Sequence, residues 1–219
     1  MITNRFSRLQ RGVTRKSLGL YCFTSEKTIP RINPLLTVAV KLCSNPVELE
    51  NVQRSVVEQR ISRGHKLFVA FYQSKPVAYL FVATAQCRVD EVEDMLYVRP
   101  NEVYLYDAFT NVKYRGNRIY PFLISDVVRF YKGKGYSYTL IFTTSSNHKS
   151  ARGIKRAGFS CYQVVHFHNL FGFKIWNYSP RSQDVQSTFG NENAKAQFQF
   201  GDMENNFSKD TKRISVSQP

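Results

Sequence analysis

Residues 103–126 read VYLYDAFT followed by NVKYRGNRIYPFLISD. A strand-like apolar segment passes through a basic turn and enters an apolar helix with a proline near its start. This succession constrains the fold more than any other stretch. A strand feeding a helix through a tight turn sets the helix N-terminus at the end of a sheet. The first-turn amides of that helix lack intrahelical partners and carry partial positive charge. Successive amides in the preceding turn make a concave anion site, so the first candidate ligand is an anion. Phosphate-binding turns commonly hold about two or three glycines. This turn holds Gly116 alone.

The rest of the chain supplies a sheet for that turn to end on. TVAVKLC alternates as a strand, and Asn45 and Pro46 then open a helix expected over 46–64. HKLFVAFY and VAYLFVATA, joined by QSKP, read as a hairpin, and the acidic stretch DEVED follows. After the central turn, Tyr120, Leu123, Ile124, Val127, Val128 and Tyr131 recur at three- and four-residue steps and give the helix one apolar face. KGKG stops it. YSYTLIFTT is a strand, SNHKSARGIKRAGF a short polar helix ending at Gly158, and SCYQVVHFHNL with FGFKIWNY a final hairpin. This order predicts one α/β domain over residues 36–178, a mixed sheet with helices packed on it. From Ser179 the chain turns polar without periodicity, which predicts a disordered tail over 179–219.

The net charge is +15, and residues 1–35 carry seven basic residues against Glu26. Such an excess implies an anionic partner: nucleic acid, a lipid surface or a phosphorylated cofactor. Residues 1–35 are expected to form a basic N-terminal arm packed on the domain. A membrane-surface helix with Phe6, Leu9 and Val13 on one side, and a mitochondrial-type presequence, are the alternatives. No apolar run reaches the roughly 18–20 residues that span a bilayer. Cys22, Cys43, Cys87 and Cys161 are scattered with no Cys-x-x-Cys pair, which argues against zinc and against a disulfide framework and for a cytoplasmic setting. His166 and His168 share a strand face, but without a third ligand nearby no metal site is expected.

Residues 37–178 resemble the GCN5-related N-acetyltransferase superfamily. VYLYDAFTNVKYRGNRIY is similar to its fourth strand and Arg/Gln-x-x-Gly-x-Gly/Ala turn, and NHKSARGIKRAGF to its Asn-x-x-Ala/Ser…Gly-Phe segment. The resemblance implies a central mixed, mostly antiparallel sheet flanked by helices. It implies acetyl-CoA as co-substrate and direct transfer to an amine: an amino sugar, a polyamine or an amino acid derivative. Arg115, Gly116, Asn117, Arg118, Ile119 and Tyr120 would wrap the coenzyme pyrophosphate. Val112 would bond the pantetheine through its backbone, and Asn147 and Ser150 would lie along that arm. The motif's two glycines fall at Arg118 and Tyr120, and the tyrosine that many members use as an acid falls at Ile154.

Direct transfer needs positioning and a base for the amine proton. Asp107 is an acid among large apolar residues, and an alternating strand would set it on one face with Val103 and Leu105. Glu102 stands at the strand start, where some members of the superfamily carry a glutamate base. Lys149, Arg152, Lys155 and Arg156 are candidates for the 3′-phosphate of the coenzyme, or a solvated face. Asp90, Glu91, Glu93 and Asp94 are charged to draw a cationic amine. Two other classes stay open: a non-catalytic protein of the same fold, and a basic binder of a membrane surface or of nucleic acid. The latter polymer is disfavoured because no recognition helix or stacking platform is present. Oligomeric state is not specified by the sequence.

Overall fold

In the computed structural model, which describes residues 13–192, the segment Glu102–Thr110 is a central strand of an eight-stranded sheet. In chain order the elements are β1 (Thr14–Thr24), β2 (Ala39–Cys43), α1 (Arg54–Ser62), β3 (Lys66–Tyr72) and β4 (Lys75–Ala83). They continue with β5 (Gln86–Val89), β6 (Asp94–Tyr97), β7 (Glu102–Thr110), α2 (Ile119–Gly133), β8 (Tyr138–Thr144) and α3 (His148–Arg156). The last are β9 (Ser160–Leu170), β10 (Phe173–Tyr178) and β11 (Thr188–Phe189). The large sheet runs β10-β9-β1-β8-β7-β4-β3-β2, and β11-β6-β5 form a small second sheet. Within the large sheet only β7 and β8 pair in parallel. The mixed, mostly antiparallel architecture expected from the sequence is present.

The α2 pattern explains one layer. Leu123, Ile124, Val127, Val128 and Tyr131 of α2 bury against Leu80, Val82, Val103 and Leu105 of the sheet, and Ile154 of α3 joins them. On the opposite face Val57 of α1 covers Leu67, Val69, Tyr79 and Phe81. Beside it the small sheet covers Leu18, Leu20, Tyr104 and Phe167 with Val89, Leu96 and Phe189. Among the described residues no helix is long and apolar enough to cross a membrane. All four cysteines are free.

Four segments differ from expectation. Residues 14–24 are not an arm or a helix but β1, hydrogen-bonded between β8 and β9. Leu18, Leu20 and Cys22 bury on one face and Tyr21 and Phe23 on the other. A strand covered on both faces shows no alternation, and the arginines at its start masked it. The expected tail likewise begins too early. Val185, Ser187 and Phe189 are buried, and β11 pairs with β6. Residues 1–12 and 193–219 lie outside the described residues. The helix expected from 46 begins only at Arg54, because Leu49 and Val52 bridge each other and pack under Tyr79. Finally, DEVED is the turn of the β5–β6 hairpin. Asp90 pairs with Arg88, Glu93 with Lys174, and Asp94 accepts the amides of Met95 and Asn191. Those carboxylates brace the small sheet.

Candidate functional site

β7 and β8 pair only from Glu102 to Leu105, while β7 runs on to Thr110. The strands part because β7 carries an extra residue: Tyr79 of β4 faces Phe109, and Phe81 faces Tyr106. Asp107 sits in this bulge at φ +45°. The insertion breaks the alternation expected from the sequence. Leu105 and Ala108 face the α2 side, whereas Asp107 pairs with Arg60 of α1 on the other side. Arg60 in turn lies over the rings of Phe81 and Tyr106, 4.5 and 5.2 Å from their centroids.

On the α2 side a cavity of about 600 Å³ opens beside the end of β7. One wall is Ala108, Phe109 and Thr110; the floor is the turn and first residues of α2; the far wall is α3. Arg115, Arg118, Lys149, Arg152 and Arg156 line it, and no acid does. Gly116 has φ +86° and Arg118, the N-cap of α2, has φ +58°. An L-residue in that region costs about 1–2 kcal/mol. The turn therefore keeps the glycine geometry at both positions while placing a guanidinium at one. No side chain caps α2, so the amides of Ile119 and Tyr120 remain first-turn donors. Pro121 has no amide to lose. Asn117 braces the turn: its side-chain amide donates to the Tyr114 carbonyl at 3.0 Å, and its own carbonyl accepts the Leu35 amide at 3.0 Å. Arg115 donates to the Thr110 carbonyl at 3.0 Å and tethers the turn to the end of β7.

Asn147 caps α3 by accepting the Ser150 amide at 3.1 Å, and both residues line the cavity. Tyr120 crosses from α2 to α3. Its hydroxyl and that of Ser150 are 3.0 Å apart, and packing pushes the phenol up to about 12. Its ring occupies the space over Gly153, where a Cβ would come within 2.5 Å of the ring. The bulk that the motif excludes at position 120 is thus accommodated by glycine one helix away, a pairing the sequence reading missed. Ile154 is fully buried in the core. Thr110 also lines the cavity, and among the described residues its buried hydroxyl has no hydrogen-bond partner.

The expected site residues divide three ways. Arg115, Gly116, Arg118, Ile119, Tyr120, Asn147 and Ser150 meet at the cavity, with Asn117 supporting them. Val112 does not. It starts a 3-10 turn, is exposed, and its carbonyl accepts the Arg115 amide at 3.3 Å. Glu102 does not line the cavity. It is only 2% exposed, and its carboxylate accepts the Gln186 amide at 2.7 Å, the Ser187 amide at 2.9 Å and the Ser187 hydroxyl. It anchors the segment after β10. Among the described residues no group of His, Cys, Asp and Glu could hold a metal. His166 instead bonds the Ser17 hydroxyl at 2.8 Å.

A second cluster flanks the bulge on the α1 side. His65 bonds the Tyr106 hydroxyl through Nδ1, with the rings edge to face. Burial, and then the charges of Arg60 and Arg63, hold His65 below its usual 6.5, against an opposing backbone hydrogen bond at Gln86. The folded state therefore favours the neutral ring. Above 6.5 both states are neutral and the full stability is present. As pH falls below 6.5 the unfolded chain takes the proton first and stability is lost. Urea midpoints of the wild type are expected to fall between about pH 6.5 and 5 more steeply than those of His65→Gln, which cannot titrate. Parallel curves would remove His65 from this account.

No protein-family model matches the chain, and no curated protein matches it in sequence. Its likeness is to solved structures. A GCN5-related N-acetyltransferase from Sphaerobacter thermophilus superposes with TM-score 0.51 at 11% identity, over 81% of this chain and 57% of that one. A Drosophila protein superposes with TM-score 0.50 at 10% identity, over 74% of this chain and 52% of that one. The chain thus spans little more than half the length of these structures. The likeness to the Sphaerobacter thermophilus structure shows that the chain, with its parallel β7–β8 pair inside an otherwise antiparallel sheet, has the fold of a GCN5-related N-acetyltransferase.

Proposed function

We propose that the protein is an acetyl-CoA-dependent N-acetyltransferase that acts on a small amine by direct transfer. The observation that supports this most is the cavity at the α2 N-terminus, lined by five cations and no acid. Its volume suits the bound part of a nucleotide coenzyme. The Ile119 and Tyr120 amides would donate to the pyrophosphate, with Arg115 and Arg118 beside it. Lys149, Arg152 and Arg156 would meet the 3′-phosphate, and Asn147, Ser150 and the Thr110 hydroxyl the pantetheine arm. Acetyl-CoA would supply a thioester whose carbonyl carbon the amine attacks, releasing the thiol.

Asp107 takes the part of amine base in this reading. The bulge turns it to the face opposite the cavity, where an acceptor would arrive without crossing the coenzyme. Its carboxylate would hold the incoming ammonium and take its proton before attack. Arg60 fixes its orientation. The amine class stays as wide as the sequence left it.

Calorimetric titration of the full chain with acetyl-CoA is expected to show saturable one-to-one binding. Binding should weaken at least about tenfold in Arg152→Glu/Arg156→Glu and with dephospho-CoA. Asp107→Asn should bind the coenzyme as the wild type does and lose about a hundredfold in turnover across an amine panel. A folded chain that does not bind acetyl-CoA would overturn the proposal. It would favour a non-catalytic protein of this fold, a reading that draws on the Tyr120 ring filling the space between α2 and α3.

A further inference from the structure

The α2 face of the large sheet is not covered along its whole width. α2 packs on β3, β4 and β7, and α3 on β8. The Thr14–Ser17 start of β1, with the adjoining parts of β9 and β10, extends past both. The pairing register sets Ile175 beside His168 and His168 beside Arg15, with Phe173 opposite Leu170. Phe167 and Trp176 alternate with them and point into the core on the other face. On the uncovered face Phe173 is 78% and Ile175 44% exposed; Phe171 in the hairpin turn is 75% exposed, and Val13 just before β1 is 51% exposed. Half of the large apolar side chains that the described residues expose gather at this one place.

The turn itself is built at a cost. Phe171 has φ +54° and Gly172 φ +103°. Asparagine, aspartate or glycine suits the first of these positions, and a bulky ring there is an outlier. Among the described residues the ring stays 75% exposed and gains little packing to offset the strain. Charge completes the picture. β1, β9 and β10 contain no Asp or Glu; Arg15, His166 and His168 lie on the uncovered face, while Lys16 and Lys174 lie on the other, where Lys174 pairs with Glu93. Residues 1–12, which lead into Val13, add three arginines and no acid.

Apolar tips beside Arg15, on strands that carry no acid and behind an arginine-bearing lead-in, match an anionic lipid surface. The tips enter the acyl boundary and the cations meet the headgroup phosphates. A second copy of this chain would bring the same positive surface and a net charge of +15 against it. A nucleic acid would use the cations but leave the aliphatic side chains of Val13, Leu170 and Ile175 in water. We infer that the Phe171–Phe173 tip and the adjoining β10-β9-β1 face dock the protein on an anionic membrane surface.

Sedimentation of the full chain with vesicles tests this. Binding is expected to vesicles of mixed phosphatidylcholine and phosphatidylglycerol, to be weak with phosphatidylcholine alone, and to decline as salt is raised. Phe171→Ser/Phe173→Ser should lower the partition about tenfold or more at an unchanged melting temperature, since each ring leaves water only on docking. Phe173→Trp should shift its emission to the blue on the mixed vesicles alone. Equal binding by wild type and the double serine variant would overturn the inference by assigning the attraction to charge alone. So would bulk RNA binding without vesicle binding, or a dimer lost in the serine variant while vesicles remain unbound.

Discussion

Glu102→Ala is expected to lower the melting temperature by about 10 °C and to leave acetyl-CoA binding by the remaining folded protein unchanged. The carboxylate accepts the Gln186 and Ser187 amides and the Ser187 hydroxyl as well. Hydrogen bonds to a buried charge are worth more than neutral ones, and deleting the acceptor strands its donors. A loss of about 3–5 kcal/mol follows for a broken buried charged network. The loss should be local first. Phe189 and β11 hang on this anchor, so limited proteolysis should cut near residue 186 in the variant before the rest unfolds. A catalytic glutamate would behave the opposite way, with stability kept and turnover lost. An unchanged melting temperature would sink the structural assignment.

Gly153→Ala should destabilise the protein by about 1–3 kcal/mol, although alanine is the better helix former. The added methyl would lie 2.5 Å from Cδ1 and 2.8 Å from Cε1 of Tyr120. Moving the ring also gives up the bond to Ser150. In a Tyr120→Gly background the same change should be neutral or stabilising, because the obstacle is gone and helix propensity remains. The double-mutant cycle is therefore expected to show a coupling of about 2 kcal/mol. Additive effects would mean that the ring moves aside without cost, and the α2–α3 contact would then not depend on the exchange of bulk between positions 120 and 153.

Much of this site was legible because its parts are local. The strand, the basic turn and the apolar stripe of α2 each follow from residues adjacent in sequence. Asn147 caps α3 three residues before Ser150, a spacing that can be read directly. What was not legible depends on distant partners. Nothing near Asp107 announces that β7 gains a residue against β4, so alternation put its carboxylate on the wrong face. Glu102 looked like a free strand end because its partners arrive some eighty residues later, in a segment whose polar composition hides Val185 and Phe189. The helix start at 46 had an asparagine, a proline and early acids in its favour, yet Leu49 and Val52 are drawn into the core under Tyr79 before a helix can begin.

The position of β1 also bears on how the chain is made. This strand leaves the ribosome before its neighbours on both sides, Tyr138–Thr144 and Ser160–Leu170, which are synthesised more than a hundred residues later. During that interval Leu18, Leu20, Tyr21 and Phe23 have no sheet to join and remain sticky. Pairings so remote in sequence close slowly, and an unpaired apolar strand is what holdase chaperones bind. Yield in cells should therefore respond to translation speed and to chaperone supply more than the stability of the finished domain would suggest.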